Sequence, residues 1–182
     1  MATATQPFTG TYAIDRVHST VQFAVTHLTV STFRASFADV EGRLDTDGDA
    51  IALEARALVE SVSIVEPAEF REHIVHGADF FDAGMHPAIT FRSTRVDLSD
   101  DGTATVAGEL TIRDLPRSVI ATGTYRPPTK DPFGSHRAGL ELVTAIDRRS
   151  WGLDWQAELP GGGEAVGWDV EITVQLELIG TP

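Results

Sequence analysis

The chain has 182 residues, of which 42% are hydrophobic, a share typical of a folded core and too high for a disordered chain. Its formal net charge is −13, so its average surface repels phosphate backbones and anionic membranes, and we expect no nucleic-acid partner. The absence of cysteine excludes disulfides, thiolate metal sites and a cysteine nucleophile.

The length is typical of one domain, and we expect residues 1–182 to form a single domain with a flexible N-terminal segment at residues 1–9. No stretch approaches the roughly 18 consecutive apolar residues of a membrane span, so no stable membrane insertion is predicted. The first residues carry neither the basic nor the apolar segment of a secretory signal, and this predicts a cytoplasmic location.

Alternating apolar and polar residues predict strands through the first third of the chain. The first strand contains Phe23 and ends near residue 30, and a second contains Phe37. A third spans residues 51–59, after a turn at residues 45–49 that is rich in aspartate and glycine.

Residues 67–77 depart from this two-residue period. Pro67 opens the segment, acidic residues fill its first turn, and Gly77 provides a C-terminal stop, which predicts one short helix near residues 67–76. Ile74 lies at helical spacing from Phe70, so both side chains are expected on one face of this helix.

Strand patterns resume near Phe91 and continue to the C-terminus, interrupted by a loop dense in proline and glycine at residues 127–136. The last strand, residues 166–178, alternates apolar and polar residues over about 40 Å, at roughly 3.3 Å per residue. Short polar turns indicate antiparallel neighbours, and long antiparallel strands with one wet face close into a sandwich or a barrel. We therefore predict an all-β fold.

Four segments of the chain together resemble the YceI-like family of lipocalin-like polyisoprenoid-binding proteins. The segment 11–37 resembles the family's opening signature: an aspartate, two residues, His-Ser, alternating strand residues and then His-Leu. The residues that fit it are Asp15, His18, Ser19, Phe23, His27 and Leu28. Residues 78–94, 108–119 and 131–155 resemble three further signatures, in the family's order. Two departures are Asp114-Leu115-Pro116, where the family commonly has Gly-Val-Thr, and Trp151, where it often has Phe.

The resemblance implies an extended, lipocalin-like antiparallel β-barrel of about eight strands around an apolar tunnel, with a long-chain isoprenoid or similar fatty amphiphile as ligand and no cofactor. An eight-stranded barrel has room for about one small ligand. Each buried five-carbon isoprene unit would contribute about 4 kcal/mol before ordering costs. A barrel filled by its own side chains is the alternative. Edge strands that pair across a two-fold axis would give a homodimer.

Inward parity and positions near strand ends select the residues expected to line the ligand. They are Val21, Phe23, Val25, His27, Phe33, Phe37, Ile74, Phe80, Phe81, Phe91, Ile112, Phe133, Leu140, Trp151, Trp155 and Trp168. As core residues they would close the barrel, and as a ligand wall they would hold a methyl-branched chain, so both roles stay open. Arg16, Arg34 and Arg137 are head-group candidates, because arginine makes forked contacts with oxyanions.

Two polar clusters are predicted to be structural. His18 and Ser19 are adjacent, so in an extended segment they point to opposite faces, and we interpret Asp15, His18 and Ser19 as a buried polar trio instead of a catalytic triad. His73 and His76 lie at helical spacing, but the string His-Glu-x-x-His is absent, so no metal site is predicted.

The sequence thus predicts a protein that binds, sequesters or transports a long-chain isoprenoid inside its barrel. An alternative is an enzyme, an isomerase or hydrolase acting on a lipophilic substrate in the same cavity, with His27 as its titratable residue. A third hypothesis is a protein-interaction module with a solid core. The sequence leaves the length and head group of the ligand open.

Overall fold

The computed structural model describes residues 7–48 and 50–181. Its strands are β1 (Thr11–Ile14), β2 (Thr20–His27), β3 (Ser31–Phe37), β4 (Val40–Asp47), β5 (Ala50–Leu58), β6 (Ala88–Leu98), β7 (Thr103–Ile112), β8 (Leu115–Lys130), β9 (His136–Asp147) and β10 (Val166–Gly180). One α-helix, α1 (Ala68–His76), and two 3₁₀ turns, Val59–Ser61 and Arg148–Trp151, complete the described part. At nine residues, α1 is too short to cross a membrane, and no described helix is long and apolar enough to do so.

Eight of the strands close into an antiparallel barrel, in the order β1-β4-β5-β6-β7-β8-β9-β10, because β1 pairs with both β4 and β10. Tyr12 of β1 lies opposite Leu44 on one side and Gly180 on the other. The β2–β3 hairpin pairs with the same edge of β10 upstream of β1, from Val166 to Gln175. The predicted fold class, an eight-stranded barrel with one short helix, is therefore confirmed. We call the end where β1 meets β10 the lower end and the end near α1 the upper end.

Three elements differ from the prediction. β1 has only four residues, too few for an alternating pattern to be recognised, yet it closes the barrel. Phe8 is 2% exposed and packs edge-on against Tyr12, so the predicted flexible segment does not extend to residue 9; its residues 1–6 lie outside the described part. β8 continues into the predicted loop as far as Lys130, so that the loop covers only residues 131–135, and a register shift between Arg126 and Thr129 accommodates two prolines that lack an N–H for the ladder.

The helix α1 covers the upper part of the barrel beside β3. The preceding segment runs along β3, where the Ser63 N–H donates to the Ser36 carbonyl at 2.8 Å. α1 then begins after Pro67 and ends at Gly77, whose N–H donates to the His73 carbonyl at 2.9 Å. Ile74 and Val75 are its buried residues and belong to the same core as Phe37.

The buried apolar residues form two clusters. The main core holds the lower end and the region beneath α1, and includes Leu44, Val75 and Leu178. The upper core is smaller and consists of Leu110, Ile112, Ile146, Trp151 and Leu153, under the 3₁₀ turn that follows β9. Phe81, Ile89 and Phe91 are partly buried and pack against both clusters, so the space between the clusters is the middle of the barrel.

Gly42 permits a close approach of β4 to β5. A Cβ atom at position 42 would collide with the carbonyl oxygen of Glu54 and lie 2.8 Å from both the Cα of Ala55 and the Cδ1 of Ile14. We expect Gly42→Ala to lower the free energy of unfolding by about 2 kcal/mol in urea titrations, because neighbouring backbone must move. Gly84→Ala is the control, since a Cβ there meets nothing within 4 Å. Equal stability of the two variants would contradict the assigned β4–β5 packing.

Candidate ligand-binding site

The middle of the barrel is lined by apolar side chains that are only half-buried. Phe23 lies opposite Ile172, Val21 opposite Val174, and Val119 opposite Gly108, and each of these side chains keeps part of its surface accessible. By contrast, Tyr12, Leu44 and Leu178 at the lower end are buried, although Ile51 and Leu98 at that end are also only partly buried. An interior that was filled uniformly would bury the middle layer as completely as the ends. The half-buried middle layer is therefore the candidate wall of a ligand cavity inside the barrel.

The lower end of the barrel is closed by aromatic side chains. Phe8 contacts Tyr12 at a ring-centroid distance of 5.4 Å and Tyr125 at 6.4 Å. Leu178 has no exposed surface and Leu44 only 2%. Access to the middle layer from this end would require these residues to move, so the upper end is the candidate entrance.

A row of phenylalanines connects the surface of α1 with the barrel interior. Phe70, 39% exposed, meets Phe33 at 6.0 Å between ring centroids, and Phe33 meets Phe23 at 6.3 Å. The row continues from Phe23 to Phe37 at 5.8 Å and from Phe37 to Phe81 at 6.0 Å. Such a continuous aromatic surface suits a branched hydrocarbon chain, because it offers contact area with little side-chain entropy to lose.

Three further rings border the upper end. Trp155 contacts Phe80 at 5.6 Å and His73 at 5.9 Å between ring centroids, and His73 contacts Phe80 at 5.0 Å. The His73 Nε2 atom lies 3.0 Å from an Asp79 carboxylate oxygen, which fixes the imidazole in this cluster. We call the aromatic opening formed by Trp155, Phe80, Phe33 and Phe70 the upper mouth.

The structure distributes most of the predicted lining residues between the half-buried wall and the packed core. Val21, Phe23, Phe33, Phe80, Phe81 and Phe91 are half-buried and face the interior or the upper mouth. Val25, Phe37, Ile74, Ile112, Leu140 and Trp151 are buried, and all except Val25 belong to the two core clusters. Trp151 also donates its Nε1 hydrogen to the Leu110 carbonyl at 3.2 Å, a bond that phenylalanine could not make.

Three predicted lining residues do not lie inside the barrel. Phe133 is 92% exposed at the tip of the β8–β9 hairpin, because β8 runs to Lys130, six residues beyond Thr124, which lies opposite the first residue of β7. His27 is exposed because it is the last residue of β2. Trp168 falls within a register shift between Val166 and Val170, which breaks the alternation on which its inward position was based.

Trp168 instead stacks on an arginine that the sequence patterns did not single out. The guanidinium carbon of Arg148 lies 4.2 Å from the centre of the Trp168 ring, and that of Arg149 at 4.8 Å. Arg148 is 4% exposed and donates to the carbonyls of Gly167 at 2.8 Å, of Val166 at 3.1 Å and of Leu153. Burial lowers the pKa of Arg148. Its one sequence signal was its place in the Ile-Asp-Arg string of the fourth resembling segment.

Two of the three head-group candidates are neutralised by carboxylates. Arg16 pairs with Asp39, and Arg137 bridges Asp15 at 2.9 Å, Asp131 at 2.8 Å and also Glu177. The hydrogen bonds that Arg137 donates to these carboxylates raise its pKa, and the bond to Asp131 has the largest effect. Arg34 forms no ion pair within the described ranges, and its guanidinium donates to the Thr32 carbonyl at 3.4 Å.

The predicted polar trio ties the β1–β2 connection to β10, but the prediction that it is buried is wrong, because His18 is exposed and Asp15 and Ser19 are only half-buried. Asp15 accepts from the Val17 N–H at 3.0 Å and contacts His18 Nδ1 at 2.8 Å. Ser19 Oγ accepts from the Glu177 N–H at 3.0 Å and, among the described residues, makes no hydrogen bond to His18. A triad would need that bond. Asp15, His18 and Glu177 offer clustered ligand atoms, but Arg137 occupies both carboxylates.

The Asp15–His18 pair predicts a pH dependence of stability. Its hydrogen bond is the main cause that raises the pKa of His18 above 6.5 and lowers the pKa of Asp15 to about 2. The His18 contribution is complete below pH 6.5 and is lost as pH rises through the raised pKa; the Asp15 contribution is present above its ordinary value of 3.8 and is lost as pH falls towards 2.

We therefore expect the thermal midpoint to fall between pH 6 and pH 9 in the wild type and to fall less in His18→Gln, as measured by calorimetry in a series of buffers. His136→Gln is the control, because His136 is an exposed residue at the start of β9. Identical pH profiles for the wild type and His18→Gln would show that the pair contributes nothing.

The outer surface offers no comparable apolar site in the depressions found on it. One, of about 690 Å³, lies over β4–β7 and is lined by residues such as Glu41, Arg56, Glu54 and Arg92. Arg56 pairs with Glu41 at 3.2 Å and Arg92 with Glu54 at 3.0 Å. A second, of about 590 Å³, runs along α1 beside acidic residues and histidines. A hydrocarbon chain would strip water from these charges without compensation.

Comparison with known proteins gives a consistent picture. A family model described as a YceI-like domain matches residues 12–178. A UPF0312 protein of Pseudomonas fluorescens is 34% identical over 159 residues, which cover 82% of this chain and 79% of the relative. A UPF0312 protein of Ectopseudomonas mendocina is 28% identical over 151 residues, covering 81% of this chain and 79% of that protein.

Solved structures share the fold at low sequence identity. BcnA of Burkholderia cenocepacia is 18% identical, with a TM-score of 0.69 over 92% of this chain and 99% of that chain. A polyisoprenoid binding domain from Saccharophagus degradans, implicated in plant cell wall breakdown, is 14% identical, with a TM-score of 0.70 over 93% of this chain and 98% of that chain. At such identities the likeness concerns the fold alone.

Proposed function

Because this chain belongs to the YceI-like family, we propose that it binds a long-chain isoprenoid or a similar amphiphilic lipid inside its barrel. The observation that carries the proposal is the half-buried apolar layer at mid-height, represented by Phe23, Val119 and Ile172. The polyisoprenoid binding domain from Saccharophagus degradans, which has the same fold, supports the choice of ligand class.

The arrangement of the barrel ends orients the ligand. The lower end is closed by Phe8 and Tyr12, so the hydrocarbon chain enters at the upper mouth and its tail points downward. Along this path the chain contacts Phe33 and Phe23 and reaches the layer around Ile172. Each isoprene unit that enters contributes about 4 kcal/mol of apolar burial, before the cost of ordering the chain.

The head group then stays at the upper mouth. Of the three arginine candidates, Arg16 and Arg137 are already paired with carboxylates, whereas Arg34 forms no ion pair within the described part of the chain. Because the hydrocarbon chain of the ligand makes most of the contacts and the head group makes few, we expect the protein to discriminate little between head groups. We therefore expect affinity to rise with chain length more steeply than it changes with head group.

The enzyme alternative has lost the residue on which it depended. His27 lies at the exposed end of β2 and not among the half-buried interior residues. A Ser19–His18 nucleophile is disfavoured by the bonds of Ser19 to Glu177. Transport of the lipid, a cytoplasmic location and a homodimer stay predictions.

Native mass spectrometry of protein purified without detergent tests the proposal directly. We expect either a co-purified lipid adduct or, after delipidation, one-to-one uptake of prenyl alcohols with affinity rising from the C10 to the C20 chain. A tenfold gain per added isoprene unit would be a modest fraction of the burial energy. Protein that stays empty in the presence of every prenyl chain would overturn the proposal.

A further inference from the structure

We propose that the rim beside the upper mouth docks reversibly on a zwitterionic phospholipid surface. The rim consists of four exposed apolar residues, Leu28, Val30, Val65 and Phe70, and we call it the apolar rim. Val30 is 80% exposed, Val65 73%, and Leu28 and Phe70 are each 39% exposed. The inference rests on the proposed function only in that the docked face is the one through which a ligand would pass.

The backbone brings these residues together around the upper end of β3. Leu28 and Val30 lie in the β2–β3 turn, where the Leu28 N–H donates to the Ala165 carbonyl at 2.8 Å and the Val30 N–H to the His27 carbonyl at 3.1 Å. Phe70 contacts the Phe33 ring of β3 at 6.0 Å.

Val65 joins the rim through the segment that runs antiparallel to β3. The bridge between Phe37 and Val62, together with the hydrogen bond from the Ser63 N–H to the Ser36 carbonyl, sets the register of this segment. Val65 follows two residues after Ser63, where this segment leads into α1. The apolar rim therefore flanks β3 on both sides, next to the outermost ring of the phenylalanine row.

Exposing these four apolar side chains to water is energetically unfavourable, and a protein does not need such exposure to stay soluble. Contiguous exposed apolar residues mark interaction surfaces, whereas single ones are ordinary. Of the other strongly exposed apolar residues, Val17, Ile120, Val143 and Phe133 lie apart from the mouth, whereas Met85, 72% exposed, and Leu115, 38% exposed, lie at the upper end just before β6 and at the start of β8. The apolar rim is the group that lies beside β3 and the outermost ring of the phenylalanine row.

The charges around the rim select the kind of surface. Arg34 is exposed and forms no ion pair within residues 7–48 and 50–181, so its guanidinium is free to meet a phosphodiester. Glu66 and Glu69 follow Val65 closely in sequence and supply carboxylates for the ammonium group of the same lipid. The net charge of −13 repels an anionic bilayer. These features favour a phosphocholine or phosphoethanolamine surface over an anionic one.

Vesicle flotation with a pair of substitutions that introduce negative charges into the rim tests the docking. We expect the wild type to bind phosphatidylcholine vesicles and Val30→Glu/Val65→Glu to lose at least about tenfold in partition coefficient, because apolar burial is lost and two charges must be desolvated. The matched control is Val17→Glu/Val143→Glu, which changes two exposed valines away from the mouth and should bind like the wild type.

Lipid composition provides the second arm of the test. Replacing one third of the phosphatidylcholine by phosphatidylglycerol should weaken wild-type binding, and added salt should restore part of it. The docking proposal is overturned if the wild type fails to bind phosphatidylcholine vesicles, if the rim variant binds as well as the control, or if anionic vesicles bind more tightly.

Titration with farnesol in the absence of vesicles separates this proposal from the proposed function. Val30 and Val65 do not line the interior, so the rim variant should bind farnesol within about twofold of the wild type. Wild-type protein that binds farnesol but not vesicles refutes docking and leaves the binding function standing. Protein that binds vesicles through the rim but takes up no prenyl chain refutes the binding function and leaves docking standing.

Discussion

Ile172→Trp is expected to abolish prenyl-chain binding while the barrel stays folded. Ile172 lies on β10 opposite Phe23 on one side and Thr144 on the other, within the half-buried middle layer. An indole at this position would occupy the space that the ligand needs. Displacing a single isoprene unit removes about 4 kcal/mol of burial, so the affinity for a C20 prenyl alcohol should fall at least about 100-fold.

The stability of the same variant distinguishes a hollow barrel from a filled one. In a hollow barrel the larger ring fills empty space, and the free energy of unfolding should change by less than about 1 kcal/mol; in a packed core, overpacking costs about 1–3 kcal/mol. Val143→Trp is the matched control, because Val143 is an exposed residue of β9 opposite Thr173, one position along β10 from Ile172. A destabilised Ile172→Trp whose remaining folded fraction binds like the wild type would refute the cavity.

Alternation of apolar and polar residues along long strands explains why so much of the barrel could be predicted. The pattern predicts a strand over residues 166–178, and β10, which has 15 residues, pairs with most of β9, so one strand already sets a large part of the sheet. The helix was predictable because Pro67 and Gly77 bracket it and the two-residue period stops there. Such signals are local, because they depend on neighbouring residues and not on the tertiary arrangement of the chain.

Short elements and irregularities carried no comparable signal. β1 closes the barrel with four residues, and its importance lies in pairing with residues more than 160 positions away, which a local pattern does not encode. Trp168 has inward parity in the sequence, but the irregularity between Val166 and Val170 changes the phase of the strand around it. A one-residue error in phase moves a side chain to the opposite face.

Charge pairing was the least predictable part of the site. Arg137 looked like a free head-group ligand, yet the fold surrounds it with Asp15, Asp131 and Glu177, which come from the β1–β2 connection, the β8–β9 hairpin and β10. The phenylalanine row has the same character, because Phe70 of the helix meets Phe33 only through the packing of α1 beside β3. Both features depend on tertiary placement and not on spacing.

Arg148→Ala should cause a large loss of stability and weaken ligand binding at the same time. The buried guanidinium holds the carbonyls of Gly167, Val166 and Leu153, and alanine would leave these groups without a donor. We expect the free energy of unfolding to fall by about 3 kcal/mol in urea titrations, since unsatisfied buried polar groups cost about 1–3 kcal/mol each and some will recruit water.

The effect on binding follows from what Arg148 anchors. Its three bonds join the ends of the segment between Leu153 and Gly167, which carries Trp155 to the upper mouth. Arg149→Ala is the control that distinguishes the effect of the buried hydrogen bonds from that of ring stacking. Arg149 contacts the same Trp168 ring but is exposed and pairs with Asp147. The control should unfold close to the wild-type midpoint and retain prenyl-alcohol affinity, whereas Arg148→Ala should lose both. If Arg148→Ala were as stable as the control, the buried carbonyl contacts would not be what fixes this side of the mouth.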